Sequence, residues 1–117
     1  MKKLIIFILL FIPTVCFAAS GVLTSQGNVR GIPISEGQRW EVSCNSSKER
    51  IELKNLSNGD VIVFENKGGM VVNGALSYTA YYNGEKKLFN VWIYIRIDGD
   101  DVSDLSIKTH YGTTYFK

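Results

Sequence analysis

Cys44 and the only histidine of the chain, His110, are the pair of side chains that could make a nucleophile. A thiolate–imidazole pair works only when the two groups lie within hydrogen-bonding distance of each other. Cys44, however, continues a period-two apolar pattern with Trp40 and Val42, which is typical of a small buried side chain. The chain also holds no motif of a serine hydrolase, a zinc protease or a phosphate-binding loop. We predict a protein that is not an enzyme and uses no cofactor.

Four aspartates within seven residues, beside Gly99, could offer oxygen ligands to a calcium ion. They are Asp98, Asp100, Asp101 and Asp104. The EF-hand loop has its glycine at the sixth position, whereas Gly99 is the second residue here. The spacing favours a solvated hairpin loop in which Asp104 pairs with Arg96. We predict no metal site, these four carboxylates being the only candidates.

Aromatic and polar residues alternate along a third stretch, which could form a binding surface. Aromatic rings with polar tips beside an arginine are typical of surfaces that bind proteins or sugars. The predicted binding residues are Tyr81, Asn90, Trp92, Tyr94 and Arg96. The alternative is that this face packs beneath another strand or loop, with Lys108 over the ring of Trp92 as a cation–π partner.

The elements that position this surface are two hairpins. Asn83-Gly84 best tolerates the positive φ angles of a type I′ turn, and a two-residue loop fixes the register. It would place Tyr82 opposite Glu85, Tyr78 opposite Phe89, Leu76 opposite Val91 and Ala75 opposite Trp92. One face would then collect the apolar residues Leu76, Tyr78, Phe89, Val91, Ile93, Ile95 and Ile97.

The second hairpin turns at residues 98–102 and leads into a strand over Ser103 to Tyr111. A five-residue loop pairs Arg96 with Asp104, Ile95 with Leu105, Ile93 with Ile107 and Trp92 with Lys108. A shift of one residue would place Asp104 against Ile95 in the core, which the apolar pattern excludes.

Further strands are predicted over Gln38–Cys44, Arg50–Leu56, Val61–Glu65 and Thr113–Phe116, with short candidates over Val22–Ser25 and 70–76. Asn28–Ile34 is an edge strand at best, because Gly31 and Pro33 interrupt it. Turn residues recur about every ten positions, and no helical repeat lies beyond the first residues. The sequence therefore predicts an all-β, antiparallel domain of about seven strands, either a β-sandwich or a β-barrel.

The pattern of residues 1–18 predicts a signal peptide that is cleaved off. Residues 19–117 then form one domain. Lys2 and Lys3 precede the apolar run Leu4–Ile12, and the segment 16–18 resembles a cleavage site. The run is too short for the roughly 20 residues of a spanning helix, so no transmembrane segment is predicted in the mature chain. Acylation of Cys16, as in a lipoprotein, is the less favoured alternative, and the mass of the mature protein distinguishes the two. The protein is thus predicted to be bacterial, and periplasmic or extracellular.

Charge and cysteine content exclude two further classes of protein. Without Lys2 and Lys3 the chain has 11 basic and 11 acidic side chains, which gives no support for binding nucleic acid. Without Cys16, Cys44 is left alone, so no intramolecular disulfide can form, and Cys44 is either buried or paired with another chain.

These observations favour an exported, non-catalytic protein that binds another protein or a glycan, such as an inhibitor, an adhesion or assembly module, or an immunity factor. A carrier that encloses an apolar ligand in a β-barrel is the alternative, and a cysteine-dependent enzyme is the third. The sequence gives neither the partner nor the oligomeric state.

Overall fold

The computed structural model describes residues 19–45, 47–66, 71–72 and 75–117, and these residues form strands and turns. The strands are β1 (Ala19–Thr24), β2 (Arg39–Cys44), β3 (Arg50–Asn55), β4 (Val61–Glu65), β5 (Val71–Val72), β6 (Ala75–Tyr82), β7 (Glu85–Asp98), β8 (Asp101–Thr109) and β9 (Gly112–Phe116). The all-β prediction is confirmed. In the described ranges no helix has the length and apolar character needed to cross a membrane. The predicted signal peptide, residues 1–18, lies outside them.

The strands close into a barrel. Seven of them follow one another in the order β1-β2-β3-β4-β6-β7-β8, and β1 pairs with β8 to complete the ring. This last pairing is parallel and joins Ser20 to Asp101, whereas the other pairings among the described strands are antiparallel. Of the two predicted alternatives, a β-sandwich and a β-barrel, the structure is therefore the β-barrel. Its sheet is mixed rather than fully antiparallel.

The last strand, β9, completes the junction between β8 and β1. Beyond Asp101, β8 pairs with β9 from Leu105 to Thr109. On its other side β9 approaches the end of β1: Phe116 bridges to Ser25, and Lys117 and Thr24 exchange backbone hydrogen bonds of 2.9 and 3.1 Å. Thus β1 contacts β8 directly at one end of the barrel and through β9 at the other.

Alternating residues fill the interior of the barrel. Trp40, Phe64, Tyr78 and Phe116 are the largest side chains that are less than 2% exposed. The alternation predicted for β2 and β3 is confirmed, because Trp40, Val42, Cys44, Ile51 and Leu53 are all fully buried. Burial of each large apolar side chain stabilises the fold by about 1.5–3 kcal/mol. The apolar core therefore stabilises the barrel, while Cys44 is a free, buried cysteine.

The interrupted segment Asn28–Ile34 closes one end of the barrel instead of forming an edge strand. It makes a single bridge between Val29 and Ile34, and both side chains are buried together with Ile32. Gly31 lies so close to Leu88 of β7 that a Cβ atom there would be 2.7 Å from a Leu88 methyl carbon. The apolar residues of the segment therefore belong to the core, although their backbone does not join a ladder.

The first predicted hairpin is correct at its turn and wrong beyond it. Asn83 and Gly84 have φ angles of 53° and 77°, as a type I′ turn requires, and Tyr82 pairs with Glu85. Two bulges in β7 then shift the register by two residues. The observed pairs are Tyr78 with Val91, Ser77 with Trp92 and Leu76 with Ile93, in place of Tyr78–Phe89, Leu76–Val91 and Ala75–Trp92.

One of the two bulges coincides with an unusual backbone conformation in β7. Asn90 adopts φ 53°, a conformation that asparagine tolerates better than most residues, and one extra residue of β7 is accommodated there. The other bulge lies between the pairs Tyr81–Lys86 and Ala80–Leu88 and brings Leu88 opposite the buried Ala80. Leu88 therefore packs against the core, and Phe89 is 60% exposed rather than part of the apolar face.

The second hairpin has the predicted register but a tighter turn. Arg96 pairs with Asp104, Ile95 with Leu105, Ile93 with Ile107 and Trp92 with Lys108, as predicted. The turn itself contains two residues, since Asp98 pairs with Asp101, and a bulge beyond it restores the predicted register. Gly99, at φ 64°, supplies the left-handed conformation that the turn needs.

Candidate binding face

Three neighbouring strands, β7, β8 and β9, present a common outer surface. Their registers align Trp92, Lys108 and Thr113 in one row, and Tyr94, Ser106 and Tyr115 in the next. Arg96 and Asp104 follow in a third row, which Lys117 extends. We call this surface the β7–β9 face; it consists of Trp92, Tyr94, Arg96, Asp104, Ser106, Lys108, Thr113, Tyr115 and Lys117.

Two tyrosines flank the centre of the β7–β9 face. Tyr94 is 60% exposed and Tyr115 is 55% exposed, while Ser106 between them is half-buried. Because β8 separates their strands, the two tyrosine backbones are about 10 Å apart, two inter-strand spacings. The side chains line an open hollow of about 500 Å³, whose walls are Tyr94, Tyr115 and the segment 103–106.

Trp92 belongs to the β7–β9 face, but its side chain packs against a neighbouring residue rather than projecting into solvent. Its ring is half-buried and packs edge-on against His110, with ring centroids 6.1 Å apart and planes at 85°. Its indole Nε1 is buried and has no hydrogen-bond partner among the residues that the structure describes. Lys108 is the cross-strand neighbour of Trp92, as predicted. The projecting aromatic group of β7 is therefore Tyr94.

Arg96 and Asp104 form the ion pair that the sequence predicted. The guanidinium and carboxylate are 3.8 Å apart, and the two side chains are 68% and 46% exposed. Pairs that are this exposed contribute little to stability because water screens them. Both groups thus remain available to hydrogen-bond a bound molecule.

The structure separates the other two predicted residues from this face. Tyr81 lines a different hollow, with Val61 and Val63 of β4. It lies four residues along β6 from Ser77, the neighbour of Trp92, which corresponds to about 13 Å. Asn90 is exposed in the bulge of β7. Trp92, Tyr94 and Arg96 are therefore brought together, and Tyr81 and Asn90 are not part of the same face.

Sequence reasoning missed Tyr115 and Ser106 as members of the face. The pattern of residues 113–117 contains the information, since Thr114 and Phe116 are buried and Tyr115 must then point outward. That β9 pairs with β8 as a hairpin was the missing step. With this pairing, Tyr115 falls in the row of Tyr94.

The aspartates of the β7–β8 turn do not converge on one point. Asp98, Asp100 and Asp101 are exposed, while Asp104 is engaged with Arg96. Within the described ranges no group of three or more acidic, histidine or cysteine side chains is placed to hold a metal ion.

Cys44 and His110 lie at opposite ends of the barrel. Cys44 pairs with Ala19, next to the Ser20–Asp101 bridge, whereas His110 follows the far end of β8. Eight residue steps of β8 separate these ends, or roughly 26 Å. Cys44 is fully buried, and burial raises the pKa of its thiol, with a smaller opposing effect from Lys48. The two groups cannot form a nucleophilic pair in this fold.

Comparison with known proteins gives no relative from which a function could be transferred. The chain matches no protein-family model, no curated protein and no solved structure. The chemistry of the β7–β9 face is therefore the basis for assigning a function.

Proposed function

We propose that the protein is a small exported binding protein, without catalytic activity, that holds a protein or a glycan against the β7–β9 face. The observation that carries this proposal is the pair of tyrosines, Tyr94 and Tyr115, that are more than half exposed on either side of a hollow. Tyrosine offers a large contact area with a polar tip and loses little conformational entropy on binding.

The interior of the barrel supports this proposal over a carrier of apolar ligands. Large side chains such as Trp40, Phe64 and Tyr78 occupy the interior, and a barrel of about this strand number is only wide enough for its own side chains. The separation of Cys44 from His110 likewise supports a binding function over a cysteine-dependent reaction.

Capture of partners by the immobilised protein from a cell-envelope extract of the source organism tests the proposal. Wild-type protein is compared with the double variant Tyr94→Ala/Tyr115→Ala, and with Tyr111→Ala as a matched control. Tyr111 is 62% exposed but lies in the β8–β9 turn. Bound protein is measured by mass spectrometry, and bound carbohydrate by sugar analysis after hydrolysis.

The expected result is one retained component that the double variant loses and Tyr111→Ala keeps. Identical retention by wild type and the double variant would refute a role for this face. Circular dichroism and thermal unfolding of each variant verify that the barrel is intact.

A further inference from the structure

We infer that the occupant of the β7–β9 face is an uncharged glycan, whose chain crosses the strands with one sugar ring on Tyr94 and another on Tyr115. This inference rests on the proposed function and specifies the chemistry of its partner. The size of the face, the chemistry of its centre, the spacing of its two tyrosines and the balance of its charges each support it.

The size of the β7–β9 face suits a short oligosaccharide. It spans three strands, or about 10 Å, and three rows of residues, or about 13 Å. A segment of two or three sugar rings is of the right size.

The centre of the face is polar, whereas the centre of a protein interface is usually apolar and excludes water. Here Ser106 lies at the centre, with Asp104 and Lys108 on either side of it along the outer surface of β8. A sugar ring presents C–H groups on its faces and hydroxyl groups around its edge. The rings of Tyr94 and Tyr115 can stack on the C–H faces of a sugar ring. The Ser106 hydroxyl and its charged neighbours can hydrogen-bond to the hydroxyl groups around the edge of that ring.

The spacing of the tyrosines suits a chain of sugars. Their backbones are about 10 Å apart across β8, close to the length of a disaccharide in an extended chain. Rings stacked on Tyr94 and Tyr115 would be alternate rings of an extended chain, and the ring between them would meet Ser106.

The charges favour an occupant that carries none. Arg96, Lys108 and Lys117 on the face are opposed by Asp104, and by three more aspartates in the adjoining turn: Asp98, Asp100 and Asp101. A polyanion would be repelled by the acidic turn, and a polycation by the three basic side chains. Basic and acidic side chains are thus mixed across the face and the adjoining turn. An uncharged, hydroxyl-rich chain fits this mixture best.

Titration of the ¹⁵N-labelled exported protein with defined probes, followed by NMR, tests the inference. The uncharged probes are the hexasaccharides of cellulose, chitin, laminarin and amylose. The comparison probes are a galacturonic acid oligomer and a proline-rich peptide. We expect at least one uncharged hexasaccharide to bind, with shift changes centred on the amides of Ser106 and Tyr115.

The variants then locate the binding. Tyr94→Ala and Tyr115→Ala should each weaken the Kd about tenfold, which is the loss of one stacked ring. Tyr94→Phe keeps the ring and should retain most of the affinity, and Tyr111→Ala should bind like wild type. Both tyrosines are exposed, so the substitutions leave the core intact.

Three results would overturn the inference: no binding of any uncharged hexasaccharide, tighter binding of the acidic oligomer or the peptide, or an equal loss in Tyr111→Ala. These results leave the proposed function standing if capture from the extract still depends on Tyr94 and Tyr115 and the captured component is a protein. If the capture is also unchanged in the tyrosine variants, the proposed function and the glycan inference both fail.

Discussion

Gly21 and Val102 meet where the barrel closes, and a Cβ atom at Gly21 would lie 2.5 Å from the backbone oxygen of Val102. No side chain fits in this space without displacing the backbone of β8. The contact lies beside the Ser20–Asp101 bridge, where the Ser20 amide donates a 3.0 Å hydrogen bond to the Asp100 carbonyl. The closure of the barrel therefore depends on a residue without a side chain.

Substitution Gly21→Ala should destabilise the protein by about 1–3 kcal/mol, because the added methyl group forces β1 and β8 apart. Urea denaturation measures this change. Faster hydrogen exchange of the Ser20 amide would locate the effect at the contact between β1 and β8. Gly27→Ala is the matched control, since a Cβ atom there would make an ordinary 3.8 Å contact with Thr114. Equal stabilities for the two variants would contradict this account of the closure.

The hydroxyl of Tyr78 holds the turn between β2 and β3 in place. It donates a 2.5 Å hydrogen bond to the backbone carbonyl of Lys48, a residue with φ 60°. Substitution Tyr78→Phe should lower the free energy of unfolding by about 1–2 kcal/mol, because that carbonyl loses its partner. Tyr115→Phe, at an exposed position, should change it by less than about 0.5 kcal/mol. A Tyr78→Phe protein as stable as wild type would argue against this role.

The buried thiol of Cys44 should make the fold less stable in alkaline solution. Burial raises its pKa above the ordinary value of 9.0, so the folded protein keeps a proton that the unfolded chain loses. This contribution is complete below about pH 8 and declines as the pH rises past 9 toward the raised pKa. Urea denaturation between pH 8 and about pH 10 should show a smaller decline for Cys44→Ala than for wild type. An identical decline would show that Cys44 is not its source.

The left-handed conformation of Asn90 should determine which substitutions β7 accepts. Asn90→Gly should leave stability nearly unchanged, whereas Asn90→Val should cost about 1–2 kcal/mol, since a β-branched side chain opposes φ 53°. Thr113→Val, at an exposed position of β9, is the control and should have little effect. Thermal unfolding compares the three variants. Normal stability of Asn90→Val would mean that the bulge is not fixed by this residue.

The two hairpins show why one register could be predicted and the other could not. In the β7–β8 hairpin, any shift of one residue buries Asp104, so the pattern of charges selects the register. In the β6–β7 hairpin, apolar residues occur at both Leu88 and Phe89, and either can point inward. The bulges decide in favour of Leu88, and the sequence pattern does not reveal them.

By itself the sequence determined the all-β class, the inward alternation of β2 and β3, and the turn at Asn83-Gly84, because these depend on neighbouring residues. Only the tertiary structure decided that the sheet closes through the parallel contact of β1 with β8, and that Tyr115 joins Tyr94 on one face. Both are contacts between distant segments. Their geometry follows from packing around a common core, which no local pattern specifies.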